Sequence, residues 1–196
     1  MNKARLEAFS DGVLAIIITI MVLEIKVPHG GEWSSLRPLV PVVCSYILSF
    51  VFVGIYWGNH HHLLHTVKQV SSGIIWANMH LLFWLSLVPF VTAWMGENHM
   101  EADTVASYAI VLLMCGVAFV ILQLSIEQSN RFSEDMQVAY KKVAAKGLFS
   151  IICYVLAIPL AFVHTGLSAA LFILVAVRWL IPDKHLERAL SNHEPS

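Results

Sequence analysis

Apolar runs about twenty residues long, separated by short polar interruptions, make up most of this chain. Six of them, roughly 8–26, 39–59, 73–95, 105–126, 144–163 and 167–182, approach the roughly 20 residues a helix needs to cross a hydrocarbon core about 30 Å thick. The sixth is short and needs its flanks. A backbone inside lipid must satisfy its own polar groups, so each run is predicted to be a helix. The expected fold is therefore an all-α integral membrane protein of six transmembrane helices. Pro89 and Pro159 predict kinks. The polar stretch Glu127 to Lys146 reads as the one long connection, in which Ser133-Glu134-Asp135 can cap a new helix. The tail from Asp183 to Ser196 is polar, with helical propensity up to Leu190 and fraying from Asn192. No internal repeat and no stretch able to form a soluble domain is present, so residues 1–196 read as one unit.

Composition agrees with the pattern. The chain is 58% hydrophobic and only 13% charged, against about 25% charged in soluble proteins. A net charge of −1 and the lack of any basic run give no basis for a nucleic-acid partner. Cys44, Cys115 and Cys153 are odd in number, lie in apolar runs and are expected to be buried small hydrophobes. Asp11 and Glu24 interrupt the first run, and Val27-Pro28-His29-Gly30-Gly31 is a poor cleavage site, so that run is expected to stay as a span and not to be a signal peptide.

With six spans the termini share a side. Placing them in the cytoplasm puts Lys3, Arg5, Lys68, Arg131, Lys141, Lys142, Lys146, Arg178, Lys184 and Arg188 inside and only Lys26 and Arg37 outside. Ten of the 12 basic residues on one side is the bias that orients multi-pass proteins in a cell membrane.

The first run carries most of the chemistry. At 100° per residue, Ile16, Thr19, Ile20 and Leu23 fall within about 60° of one another's centre line, while Ser10 and Asp11 lie about 120–140° away. The apolar stripe and the polar pair therefore face different neighbours. Taken by itself, the stripe reads as ordinary packing against lipid or a helix. Topology brings a second set together at the inner depth: Asp11, His60, His61 and His62 at the end of span two, and Asn78 in span three. Asp11 is costly in a membrane without partners, and a His or Asn donor, with Arg5 nearby, would supply them. The sequence leaves open which histidine does so.

The segment Arg5-x-x-x-Phe9-Ser10-Asp11-Gly12-Val13, followed by an Ile/Leu/Thr-rich helix, resembles the signature of bacterial homologues of the lysosomal potassium channel called transmembrane protein 175. Trp57 with the following histidines, and Asn78 with Leu81, Leu82, Pro89 and Phe90, extend the likeness over about the first half of the chain. The resemblance implies that Ile16, Thr19, Ile20 and Leu23 line and constrict a pore. It implies that Arg5, Ser10, Asp11, Trp57, His60, His61, His62 and Asn78 hold the pore helix to its neighbours. It further implies fourfold assembly of identical subunits and passive, potassium-favouring cation conduction, with no cofactor and potassium as the permeant ion. No Thr-Val-Gly-Tyr-Gly segment occurs, so a hydrophobic constriction that gates by dewetting takes the place of a carbonyl filter. Thr19 can offer a hydroxyl oxygen to an ion if several copies converge, or bond back to its own helix.

Two other functions fit some of the residues. Asp11 and the histidines could form a proton relay in a transporter. His60, His61, His62, His65 and His80 could ligate a metal in a membrane oxidoreductase, although such sites generally need a second histidine cluster, and His29, His99, His164, His185 and His193 are scattered. An interfacial histidine belt is the plainer account. Gly54-x-x-x-Gly58 suggests close helix packing, the six tryptophans suggest interfacial anchors, and Glu24 is placed to attract cations at the outer mouth or to pair with Lys26.

Overall fold

The computed structural model describes residues 2–130 and 132–181, apart from the side chain of Asp135. Arg131 and the tail Asp183 to Ser196, with Lys184 and Arg188, lie outside the described residues. Helix α1 runs over Lys3–Leu23, its first turn capped by Asn2, whose Oδ1 accepts from Ala4 N at 3.2 Å. A 3-10 segment, Trp33–Leu39, leads into α2, Val40–His65, which has a proline in its first turn where no N–H partner is lost. Helix α3 is Ser72–Ser86, with Ser71 Oγ accepting from Ile74 N at 3.3 Å. Helices α4 (Val88–Glu97), α5 (Ala102–Ser129), α6 (Glu134–Ala161) and α7 (Thr165–Leu180) follow.

Five stretches, Lys3–Leu23, Trp33–His65, Ser72–Glu97, Ala102–Ser129 and Met136–Ala161, are long and apolar enough to span a membrane. Helix α7 is apolar but has only 16 residues, about 24 Å at 1.5 Å per residue. The third span is two helices instead of one kinked helix. Pro89 has no N–H for the Leu85 carbonyl and its ring crowds that turn, so α3 ends and α4 begins around Leu87. Pro159 lies three positions from the start of the α6 C-cap and leaves that helix continuous.

The stretch Glu127 to Lys146, read as a connection able to carry a new helix capped at Ser133-Glu134-Asp135, is helical over most of its length. Helix α5 continues to Ser129 and α6 starts at Glu134 on a Ser133 cap. Cys44 is also not buried: it is exposed, while Cys115 and Cys153 are buried, and all three are free. Polar contacts confirm the alternation of helix directions. At one end Lys3 Nζ donates to His65 O at 2.7 Å, Lys68 N to Asn130 Oδ1 at 3.0 Å, and Ser71 and Ser129 hydroxyls meet at 3.1 Å. At the opposite end Lys26 pairs with Glu97.

The core is built around α5, whose Tyr108, Leu112, Cys115, Leu122 and Ile126 are at most 1% exposed. Among the described glycines, the close helix approach is not at Gly54 and Gly58, where an added Cβ would meet nothing within 4 Å. It is at Gly96 of α4, where a Cβ would stand 2.8 Å from Val42 Cα and 2.6 Å from Ser45 Oγ of α2. Small residues permit backbone contact wherever the helices cross, and here that point is at the C-terminal end of α4.

Candidate functional site

Helix α1 has two unlike faces. Leu6, Ser10, Leu14, Ile17 and Met21 recur at helical spacing and are buried against the rest of the subunit. About 120° around, Ile16 is 58% exposed, Ile20 41% and Leu23 78%, with Thr19 exposed among them. Ile16, Ile20 and the helix-capping Glu24 border an open cleft of about 480 Å³ between α1 and the α3–α4 break, with Ser86, Pro89 and Phe90 on its other wall. Thr19 Oγ1 donates to Ile16 O at 2.9 Å, so its hydrogen serves its own helix while its oxygen stays on the exposed face.

The buried face of α1 is locked by a continuous polar chain. His60 Nε2 and Asn78 Oδ1 are 2.7 Å apart, Asn78 Nδ2 donates to Ser10 Oγ at 3.0 Å, and Ser10 Oγ donates to Leu6 O at 2.8 Å. An amide oxygen only accepts, so His60 must carry its proton on Nε2. His60, Asn78 and Ser10 are at most 1% exposed, and each group in the chain has a partner, which low-dielectric surroundings demand. Three helices, α1, α2 and α3, are tied by these two side-chain contacts.

Asp11 takes a separate partner. Its Oδ1 accepts from Trp57 Nε1 at 3.0 Å, and the Trp57 ring stacks on His61 with centroids 6.4 Å apart. The expected set thus divides into two: Ser10, Asn78 and His60 inside, and Asp11, Trp57 and His61 at the edge. His62 points the other way, into a chamber bordered by Thr66, Gln123 and Tyr140. Arg5 does not join Asp11. It is exposed, and its guanidinium makes no hydrogen bond or ion pair among the described residues. Six residues separate the two, so they lie about 120° and 9 Å apart on the helix. Glu24 is likewise not the partner of Lys26. The Glu97 carboxylate, through its hydrogen bond first and its charge second, holds the Lys26 ammonium above its ordinary pKa, and Glu24 adds only charge.

Two contacts escaped the sequence reading. Thr92 Oγ1 lies 2.7 Å from Ser49 Oγ, which lies 2.9 Å from Tyr108 Oη, so buried hydroxyls join α2, α4 and α5. Ser45 and Ser49, four apart in an otherwise apolar run, were the available signal. His80 accepts from Trp84 Nε1 at 2.9 Å, and among the described residues no group of three or more His, Cys, Asp and Glu side chains could hold a metal ion.

Comparison with known proteins places this geometry. Residues 5–89 match the family described as the endosomal/lysosomal potassium channel TMEM175. A curated potassium channel of Chryseobacterium sp. (strain P1-3) is 49% identical over 197 residues, covering 98% of this chain and all of that protein. The crystal structure of a lysosomal potassium-selective channel TMEM175 homolog from Chamaesiphon minutus superposes with a TM-score of 0.82 at 29% identity, over 91% of this chain and 96% of that one. The human endosomal/lysosomal proton channel TMEM175 is 35% identical over 86 residues, which is 38% of this chain and 17% of that protein. The cleft-facing first helix, the buried His60–Asn78–Ser10 chain and a full-length relative at this identity together establish a multi-pass membrane protein that belongs to the TMEM175 channel family.

Proposed function

We propose that the chain is one subunit of a homotetrameric, potassium-favouring cation channel of the cell membrane, with both termini in the cytoplasm. The carrying observation is the exposed stripe Ile16, Ile20 and Leu23, with Thr19, on a helix whose opposite face is fixed inside the subunit. One helix encloses no path, so copies of α1 must surround a shared axis, and the stripe supplies apolar rings there. Such a neck is a barrier because it dewets, and its width decides which ions can enter partly stripped of water. Thr19 presents the one hydroxyl oxygen of the stripe to that axis. Conduction of this kind is passive. It makes and breaks no covalent bond and calls for no cofactor, and potassium is the permeant ion. The names of the bacterial relatives, potassium channels in each reported case, support this reading.

Proton conduction is the second reading, favoured by the name of the human relative. The polar groups of α1 give it little support. The buried chain passes through the Asn78 amide and ends on the Leu6 carbonyl, and neither group passes a proton on. Asp11 is bonded to an indole N–H, a donor only. The test is flux from proteoliposomes with the proton gradient collapsed. Potassium should leave faster than sodium. Flux that stops when the proton gradient is removed would refute the channel reading.

A further inference from the structure

Outside the pore face, the chamber between α2, α5 and α6 has a demand that its own residues do not meet. Gln123 is 2% exposed. Its Nε2 donates to Tyr140 O at 3.0 Å and to Glu127 Oε1 at 3.1 Å, so turning the amide over would set its oxygen against two acceptors. The orientation is therefore fixed, and Oε1 is left buried with no hydrogen-bond partner. A buried, unpaired acceptor either has an occupant or costs the protein stability.

Besides His62, the polar side chains that face Gln123 across the chamber offer acceptors. Thr66 Oγ1 donates to Leu63 O at 2.7 Å, so the 2.5 Å contact with Tyr140 is a bond that Tyr140 donates, which leaves Tyr140 Oη able only to accept. Asn59 Nδ2 is committed to Ile55 O at 2.7 Å, which leaves its Oδ1 as an acceptor. The occupant must bring hydrogens. The chamber has about 10 Å³ open to it, against the roughly 10–15 Å³ that one water needs and the far larger void an organic ligand needs. A neighbouring chamber of about 20 Å³ shares Asn59 and Phe119 with it.

We propose that this chamber is a water site built into each subunit, in which one molecule donates to Gln123 Oε1 and to Asn59 Oδ1 and so bridges α5 to α2. Asn59 lies about 160° around α2 from Trp57, the residue that bonds Asp11 of α1. The water thus fixes the far side of the helix that positions the pore helix. The proposal stands independently of which ion the channel carries.

The experiment joins a map of the intact channel, at a resolution that shows other ordered waters, to a double-mutant cycle of Gln123→Leu and Asn59→Leu read by thermal unfolding. The map should show one peak within hydrogen-bond reach of both oxygens. Each single variant should lower the melting temperature, and the double variant should lose less than the sum, because either change alone already breaks the bridge. An empty chamber, additive shifts, or a peak that strengthens when rubidium replaces potassium would each overturn the proposal. Should either variant fail to fold, the map alone decides.

Discussion

Asn78→Leu isolates the polar chain that anchors the first helix. The change keeps the branched outline of the side chain, with larger methyl groups at its tip, and removes two hydrogen bonds, the 2.7 Å contact with His60 and the 3.0 Å contact with Ser10. The two losses are unequal. Ser10 keeps its own donation to Leu6 O and gives up only an incoming bond, which an oxygen tolerates. His60, 1% exposed, is left with a buried N–H and no acceptor, at a cost of about 1–3 kcal/mol. Measured cycles inside membranes average only about 0.6 kcal/mol, with a maximum near 1.7, because unfolded chains in a bilayer find partners too. We therefore expect about 1 kcal/mol for Asn78→Leu, a shift of about fivefold in the unfolding equilibrium. His60→Leu in the same background should restore part of that loss, since removing both partners removes the orphan. The assay is reversible unfolding of the reconstituted protein for wild type, both single variants and the double variant. Strictly additive losses would refute a direct His60–Asn78 bond as the source of the effect.

The other expectations follow the same geometry. Asp11→Ala leaves the Trp57 indole without its acceptor at a half-exposed site, so the assembled channel should lose about 1 kcal/mol and yield should fall on size-exclusion chromatography; an intact assembly that loses only pH-dependent transport would favour a relay instead. Gly96→Ala sets a methyl group 2.8 Å from Val42 Cα and should destabilise the subunit by about 1–3 kcal/mol, whereas Gly54→Ala, which meets nothing within 4 Å in the subunit, should leave subunit unfolding unchanged. Lys26→Met breaks an ion pair whose side chains are 75% and 44% exposed, so the melting temperature should shift little, and less still in high salt.

Much of this architecture is written in the hydropathy of the chain, because lipid permits so few backbone solutions. The six spans and the two faces of α1 follow from run length and a 100° rotation, and the buried set Leu6, Ser10, Leu14, Ile17 and Met21 lies where that rotation places it. Depth alone grouped Asp11, Asn78 and the three histidines. It did not distribute the bonds among them, because which ring meets which carboxylate depends on helix rotation and crossing, to which a linear pattern is blind. Hence His60 goes to Asn78, Trp57 takes Asp11, and Arg5 stands apart. The Gly54-x-x-x-Gly58 spacing misled for a related reason: it marks a surface that can pack closely, and the subunit uses Gly96 for that purpose instead. The polarity of Glu127 to Lys146 marked a connection and Ser133-Glu134-Asp135 the start of a new helix within it, and α6 does begin at Glu134, because helices that emerge from a membrane carry charged turns without ending.

The central claim is that the exposed stripe of α1 forms the conduction barrier, and potassium and sodium flux through Ile16→Asn tests it most directly, with Ile173→Asn as the control. Both isoleucines are exposed on the single subunit, at 58% and 56%, but only Ile16 shares a helix face with Ile20 and Leu23. If apolar rings around a common axis set the barrier, one Asn per subunit hydrates the neck several times over. Ile16→Asn should then raise total flux and bring the potassium and sodium rates together, while Ile173→Asn leaves both as in the wild type. Equal effects of the two variants, or a loss of assembly at Ile16 with permeation otherwise unaltered, would contradict the placement of the pore.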